Sequence, residues 1–157
     1  MATSGEGTPS IFNDKFRSAT WPRLELGTFE KTSDKDEGHN CVAFAVGDKS
    51  RWWEPETDLA YWPEGAVNEG TVEGYVSAFR TQGFELCDNP DVEPGYEKIA
   101  LYARDEQSPT HAAVQWPNGK WRSKVGELED IEHAALDVLE CDDYGRVAAL
   151  LKRPRRQ

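Results

Sequence analysis

The stretch Asn40-Cys-Val-Ala-Phe-Ala-Val-Gly47 constrains the fold of this chain more than any other. It predicts a short helix with Asn40 as N-cap, Cys41 in the first turn and Gly47 at the stop. A helix apolar on every side has no face to offer to water and must be buried. Its open N-terminus presents N–H groups and a partial positive charge, which favour a thiolate in the first turn.

The rest of the chain supplies walls for such a helix. Residues 1–10 are small and polar and read as a disordered N-terminus, leaving 11–157 as a single α+β domain. Ile11, Phe12, Phe16, Trp21, Leu24, Leu26 and Phe29 can pack but show no clear period, and residues 30–38 read as a charged loop. Thr71 caps a helix whose apolar positions Val72, Tyr75, Val76 and Phe79 run up to Gly83. A further amphipathic helix is expected over residues 130–139, and strands over 84–87, 98–103, 110–116, 121–125 and 147–152. The sum is about three helices with an antiparallel sheet of roughly four to six strands.

Asn118-Gly119 between two strand-like runs is a strong hairpin signal. A two-residue turn there sets Trp116 opposite Trp121 and puts Ala112, Val114, Trp116, Trp121 and Val125 on one apolar face. His111, Ala113, Gln115, Arg122 and Lys124 then share the other face, so His111 is not expected to be a core histidine.

The net charge of −11 argues against a nucleic-acid partner, because phosphate contacts need clustered Lys and Arg. The one basic cluster, 152–156, ends a strand and reads as a solubilising tail. With 29 acidic residues the chain suits a basic protein partner. No run is long and apolar enough for a membrane helix, and the N-terminus has no signal-peptide pattern. Three cysteines, an odd number, fit free thiols in a reducing compartment, so a cytoplasmic address is expected.

The thiols are not equivalent. Cys87 precedes Asp88, and Cys141 lies between Glu140 and Asp142, carboxylates that oppose thiolate formation. Cys41 has the helix start and His39 nearby, so it is the candidate nucleophile. The other reading makes Cys41 a small buried hydrophobe. His111, held on a strand, is the candidate general base. His39 lies in a flexible charged loop, near enough to assist Cys41 but poorly held, and His133 in the 130–139 segment reads as a solvated or half-buried structural residue. A third group would orient the imidazole. Glu127 is favoured by the two-residue turn and Ser123 by a bulge. Zinc ligands come as close pairs, and only His39-x-Cys41 is close, so no metal or other cofactor is expected. Trp52, Trp53 and Trp62 sit beside prolines and either pack on the core or wall a cleft.

Cys41 on a buried helix, followed by His111 on an antiparallel strand and a hairpin, resembles the papain-like superfamily, especially its compact NlpC/P60-type members. That resemblance implies an antiparallel sheet packed against a buried N-terminal Cys-bearing helix. It also implies Cys41 as nucleophile, His111 as base, and the Cys41 N–H, helped by Asn40, as oxyanion hole. The implied activity is hydrolysis or acyl transfer on a peptide, amide or thioester substrate. Val42 after the cysteine and the missing Gly-Ser-Cys depart from the better-known patterns. The stretches 40–48, 51–53, 110–113 and 123–126 are also similar to an uncharacterised bacterial single-domain family, over residues 20–155, which brings no activity. The rival expectation is a non-catalytic acidic interaction or immunity-type protein on the same scaffold.

Overall fold

The Asn40 carboxamide shapes the start of the buried helix. In the computed structural model, which describes residues 10–125 and 128–155, the helix α2 spans Cys41–Val46. Asn40 Oδ1 accepts the Ala43 N–H at 3.2 Å. At the other end Gly47 adopts φ 90°, letting its N–H reach Phe44 O while the Asp48 N–H reaches Ala43 O. This pair of bonds is a Schellman stop, which satisfies carbonyls that a six-residue helix would otherwise bury unpaired. Val42 to Val46 are all buried, as an all-apolar helix requires.

The other elements are α1 (Asp14–Thr20), β1 (Phe29–Ser33), α3 (Val72–Arg80), β2 (Glu85–Leu86), β3 (Tyr96–Ala103), β4 (Pro109–Gln115), β5 (Trp121–Lys124), β6 (Asp130–His133), a 3₁₀ turn (Leu136–Leu139) and β7 (Arg146–Pro154). The strands form one antiparallel sheet of seven, ordered β1-β6-β5-β4-β3-β7-β2. Helices plus an antiparallel sheet make the α+β class. No helix among the described residues is long and apolar enough to cross a membrane. Of residues 1–10, read as disordered, Ser10 is described and is held by Glu129, and residues 1–9 lie outside the described residues.

Both faces of the sheet are covered, so β3 is buried from Lys98 to Ala103. On one face Ile99, Leu101, Ala112, Val114 and Leu151 pack against α2 and against Val76, Ala78 and Phe79 of α3. On the other, Ala100, Tyr102, Ala113, Trp121, Val125 and Ile131 pack against Ile11, Trp21, Leu24 and Phe29. The segment with no clear period in the sequence thus forms the second wall. Asn13 caps α1 through the Phe16 N–H, and buried Arg17 donates to Leu24 O and Ile11 O. Glu129 ties the segment down by accepting from the Ile11 N–H at 3.0 Å and Ser10 Oγ at 2.7 Å.

Three local expectations are corrected. Residues 29–33 are an edge strand rather than part of a charged loop. Residues 130–139 are a strand followed by a 3₁₀ turn, because Asp130, Ile131 and His133 pair with β5 and β1 before the chain coils. The hairpin register is offset by one residue: Gln115 faces Trp121 and Ala113 faces Ser123. The turn closes through Gly119 N–H to Trp116 O and Trp116 N–H to Lys120 O, with Gly119 at φ 85°. This is a type I turn on Pro117-Asn118 followed by a left-handed residue. Trp121, Ser123 and Val125 therefore join the His111 face, while Arg122 and Lys124 join the α2 face.

Gly145 marks a close approach between backbones. A Cβ there would stand 2.1 Å from Ala103 O, and its φ is 73°. Gly27 has φ 93° with nothing within 4 Å of a Cβ. Gly145→Ala is expected to lose about 3 kcal/mol or more in urea unfolding, because strain and collision add. Gly27→Ala is expected to lose only about 1 kcal/mol, the left-handed penalty alone. Equal losses at the two sites would contradict the contact at Ala103.

Candidate functional site

Cys41 opens α2 and is half-buried. Burial pushes its thiol up, while the N–H groups of Ala112, Val42 and Cys41 itself, and then Lys124, pull the other way. The helix start thus favours the thiolate as the sequence suggests, but desolvation outweighs it in the resting protein. A charge on the sulfur reaches the hydroxyls of Tyr75 and Tyr144. Both hydroxyls are raised chiefly by burial, Tyr75 to about 12.

His111 stacks flat on Tyr144, with centroids 4.6 Å apart and rings 9° from parallel, and tilts against Tyr102 at 5.3 Å. It is 1% exposed, correcting the expectation that it avoids the core. Neither ring nitrogen has a hydrogen-bond partner among the described residues, Cys41 included. Burial, then the neighbouring His133, lowers its pKa to about 3, so it rests neutral. The hairpin offset explains the enclosure: His111 faces Tyr102, Ala113 and the second core, whereas α2 lies on the opposite face. What the surroundings of Cys41 and His111 share is the start of β4 and Tyr144. There the Ala112 N–H favours a charge on the sulfur, and Thr110 Oγ1 donates to Tyr144 O.

Ser123 lies on the His111 face, as a bulged hairpin requires, but it serves another histidine. His133 Nδ1 is 2.9 Å from Ala135 O, so that nitrogen carries the proton. Nε2 then accepts from Ser123 Oγ at 2.8 Å. Burial lowers the His133 pKa to about 4. It is a structural residue on a strand, 1% exposed, which corrects the reading that it is solvated or half-buried on a helix. Glu127 lies outside the described residues. The Asn40 amide ties the loop to the helix: its Nδ2 donates to Trp53 O at 2.7 Å while Oδ1 accepts from Ala43 and Trp53 N–H groups. Asn40 holds the 53–61 loop on the helix.

The tryptophans divide between the two readings. Trp53 is core, 2% exposed, its Nε1 donating to Asp48 at 2.9 Å. Trp52 is exposed and donates to Glu37 O. Trp62 is half-buried, meets Tyr75 edge-on at 5.2 Å and Trp53 at 6.5 Å, and so belongs to the wall nearest Cys41.

A polar group that sequence reasoning missed lies on the α2 face. His39, Lys124 and Asp130 are 1%, 1% and 3% exposed. Both His39 ring nitrogens, Lys124 Nζ and Asp130 Oδ1 lack hydrogen-bond partners among the described residues. His39 stacks on Phe44 with centroids 6.0 Å apart, which corrects the reading that a loop holds it poorly. The one-residue register offset is the signal that would have placed Lys124 under α2.

Residues 30–152 match the family described as a domain of unknown function, DUF7689. The chain belongs to that family. No curated protein and no solved structure matches it. The DUF7689 match starts within β1 and ends within β7, so it contains Cys41, His111, Lys124, Asp130 and Tyr144. The α1 segment that forms the second wall precedes it.

Acid should reveal His111 and His133, two of the three buried histidines of this DUF7689 member. Each is held neutral when folded, whereas the unfolded imidazole titrates near 6.5. Their contribution is therefore complete above pH 6.5 and lost as pH falls toward 4 and 3. The expected loss is about 1.4 kcal/mol per pH unit per histidine across that window. Urea unfolding of His111→Gln should show a shallower pH dependence than wild type between pH 6.5 and 4. An unchanged slope would mean that His111 is not buried neutral.

Proposed function

We propose that the protein is a thiol-dependent hydrolase or acyltransferase on a papain-like scaffold, acting on an amide or thioester carbonyl. The observation that carries this reading is the buried, neutral imidazole of His111 with both nitrogens unpartnered. It stacks on the tyrosine whose hydroxyl senses Cys41. Leaving a buried ring nitrogen unsatisfied costs about 1–3 kcal/mol, so such a group needs a reason to persist. A base that takes a proton from a thiol during reaction is such a reason. Backbone N–H groups of Ala112, Val42 and Cys41 around the sulfur support the same reading.

In the proposed reaction His111 takes the Cys41 proton, and the sulfur electron pair attacks the carbonyl carbon. The tetrahedral oxyanion collapses as the carbonyl–heteroatom bond breaks, and the imidazolium returns its proton to the departing amine or thiol. Water or an acceptor nucleophile then releases the acyl group from sulfur. Backbone N–H groups at the start of α2 stabilise the oxyanion, and Trp62 with Tyr75 walls the acyl side. The thiol and imidazole form no hydrogen bond at rest, so substrate entry must bring them together. Apo geometry of this kind is common where catalytic bonds tighten only in the complex.

Incubation with p-nitrophenyl acetate and peptide mapping by mass spectrometry tests the reading. Acetylation should fall on Cys41, vanish in Cys41→Ser and slow by about a hundredfold in His111→Ala, the lower end for loss of a general base. Acetylation confined to Cys87 or Cys141, or an unchanged rate in His111→Ala, would exclude the Cys41–His111 pair.

A further inference from the structure

A buried lysine without a hydrogen bond is the most costly side chain in the molecule to explain as packing. An ammonium removed from water is strongly disfavoured unless something opposite in charge or rich in acceptors meets it. Lys124 is 1% exposed, and its Nζ has no hydrogen-bond partner among the described residues. Its nearest recorded anion, Asp130 Oδ1, is 3.9 Å away, beyond hydrogen-bond length, and Oδ1 is itself unpartnered. The other oxygen of Asp130 accepts from Ser33 Oγ. The ammonium is thus held near an anion that only partly neutralises it.

The register says where it points. Val114 opposes Arg122, so Lys124 lies on the face of Ala112 and Val114, against which α2 packs. The group above that face is the start of α2, with His39 in the preceding turn and Cys41 in the first. His39 lies 3.8 Å from Asp36, and its imidazole is lowered by burial and then by Lys124, so it stays neutral. His39 is therefore not a rival cation beside the sulfur. The titratable and charged groups on the elements bordering α2 and the start of β4 are then Lys124 on β5, Asp130 on β6, Tyr75 on α3, Tyr144 before β7, His111 on β4, His39 and Asp36 in the loop before α2, and Lys49 after it, whose ammonium stands 5.7 Å from the Phe44 ring centre. Of the two lysines, Lys49 is exposed and Lys124 is buried.

We propose that Lys124 is the built-in counter-cation of the Cys41 sulfur, and that Asp130 sets how much of its charge the sulfur feels. The inference rests on the reading of Cys41 as the working thiol, and it makes Lys124 a positioning residue that acts through that thiol. When the thiol ionises, its proton goes to His111 or to a solvent base and the electron pair stays on sulfur. The thiolate then meets the unspent side of the ammonium. The sulfur thus draws on a charge that burial would otherwise make prohibitive, and the lysine gains the partner it lacks at rest.

The pH dependence of iodoacetamide alkylation at Cys41, mapped by mass spectrometry, measures this directly. Lys124→Met should move the midpoint upward and slow labelling at pH 7 by about tenfold, the effect of losing one nearby opposite charge. Lys124→Arg should restore most of the rate. Asp130→Asn should move the midpoint downward, because it frees the ammonium from its competing anion. A role in packing alone would not produce shifts of opposite sign. Shifts in the same direction, or none, would overturn the proposal. If Lys124→Met fails to fold by near-UV circular dichroism, Asp130→Asn decides, and an unchanged or raised midpoint counts against it. His111→Ala separates the two ideas. If that variant keeps the acetylation rate while the Lys124 and Asp130 shifts persist, the Cys–His base reading fails and the counter-cation stands.

Discussion

Burial of the β3–β4 pair on both faces is the constraint from which the rest of this structure follows. Ile99, Leu101, Ala112 and Val114 require one cover, and Ala100, Tyr102 and Ala113 require another. At about 25 cal/mol per Å² of apolar surface, neither face can be left to water. The first cover is α2, short and apolar all round, and it therefore needs both its ends closed by its own neighbours. The second is the N-terminal segment, which lacks a period because it wraps rather than lies as one element. Each cover brings polar groups inside with it: Lys124 and His39 on one side, His111 and His133 on the other.

The local signals in the sequence that name a backbone requirement were legible. Asn40 and Gly47 bracket α2, and Thr71 caps α3 with its hydroxyl accepting from Gly74 N–H. The Asn118-Gly119 hairpin exists, but its register turns on Pro117. In a two-residue turn Pro117 would have to donate an N–H it does not have. As the first central residue of a type I turn its fixed φ is an asset, and Gly119 takes the left-handed position after it. One residue of offset exchanges every side chain between the faces, so an error at the turn became an error about His111 and Lys124. The strand at residues 130–133 was illegible for another reason. Its apolar spacing suits a helix, and only pairing with β5 and β1 makes it extended.

The candidate site was legible in its thiol and less so in its surroundings. Charge context separates Cys41 from Cys87 and Cys141 without any fold. Tyr144 sits in a turn between acidic residues and a glycine, where no periodicity announces a ring stacked on His111. Ser123 shows the limit of proximity arguments, since it lies on the right face and is bonded to His133. Asn40 shows a second limit, because residue order does not announce that its carboxamide staples Trp53 to the helix start. The desolvation of Cys41 and the neutrality of His111 are properties of enclosure, which residue order does not express.

The two rims of the sheet carry a consequence for the molecule among its own copies. One rim is β1, where Glu30 and Lys31 stand exposed and the pairing slips between Lys31 and Ser33. The other is β2, only two residues long. An open strand is a template for a second chain, and charge, irregularity and brevity are the devices that spoil it. Seven strands with a continuous apolar centre would otherwise be well suited to stacking edge to edge. In this molecule charge and a register slip at one margin, and a two-residue strand at the other, work against adding a further strand.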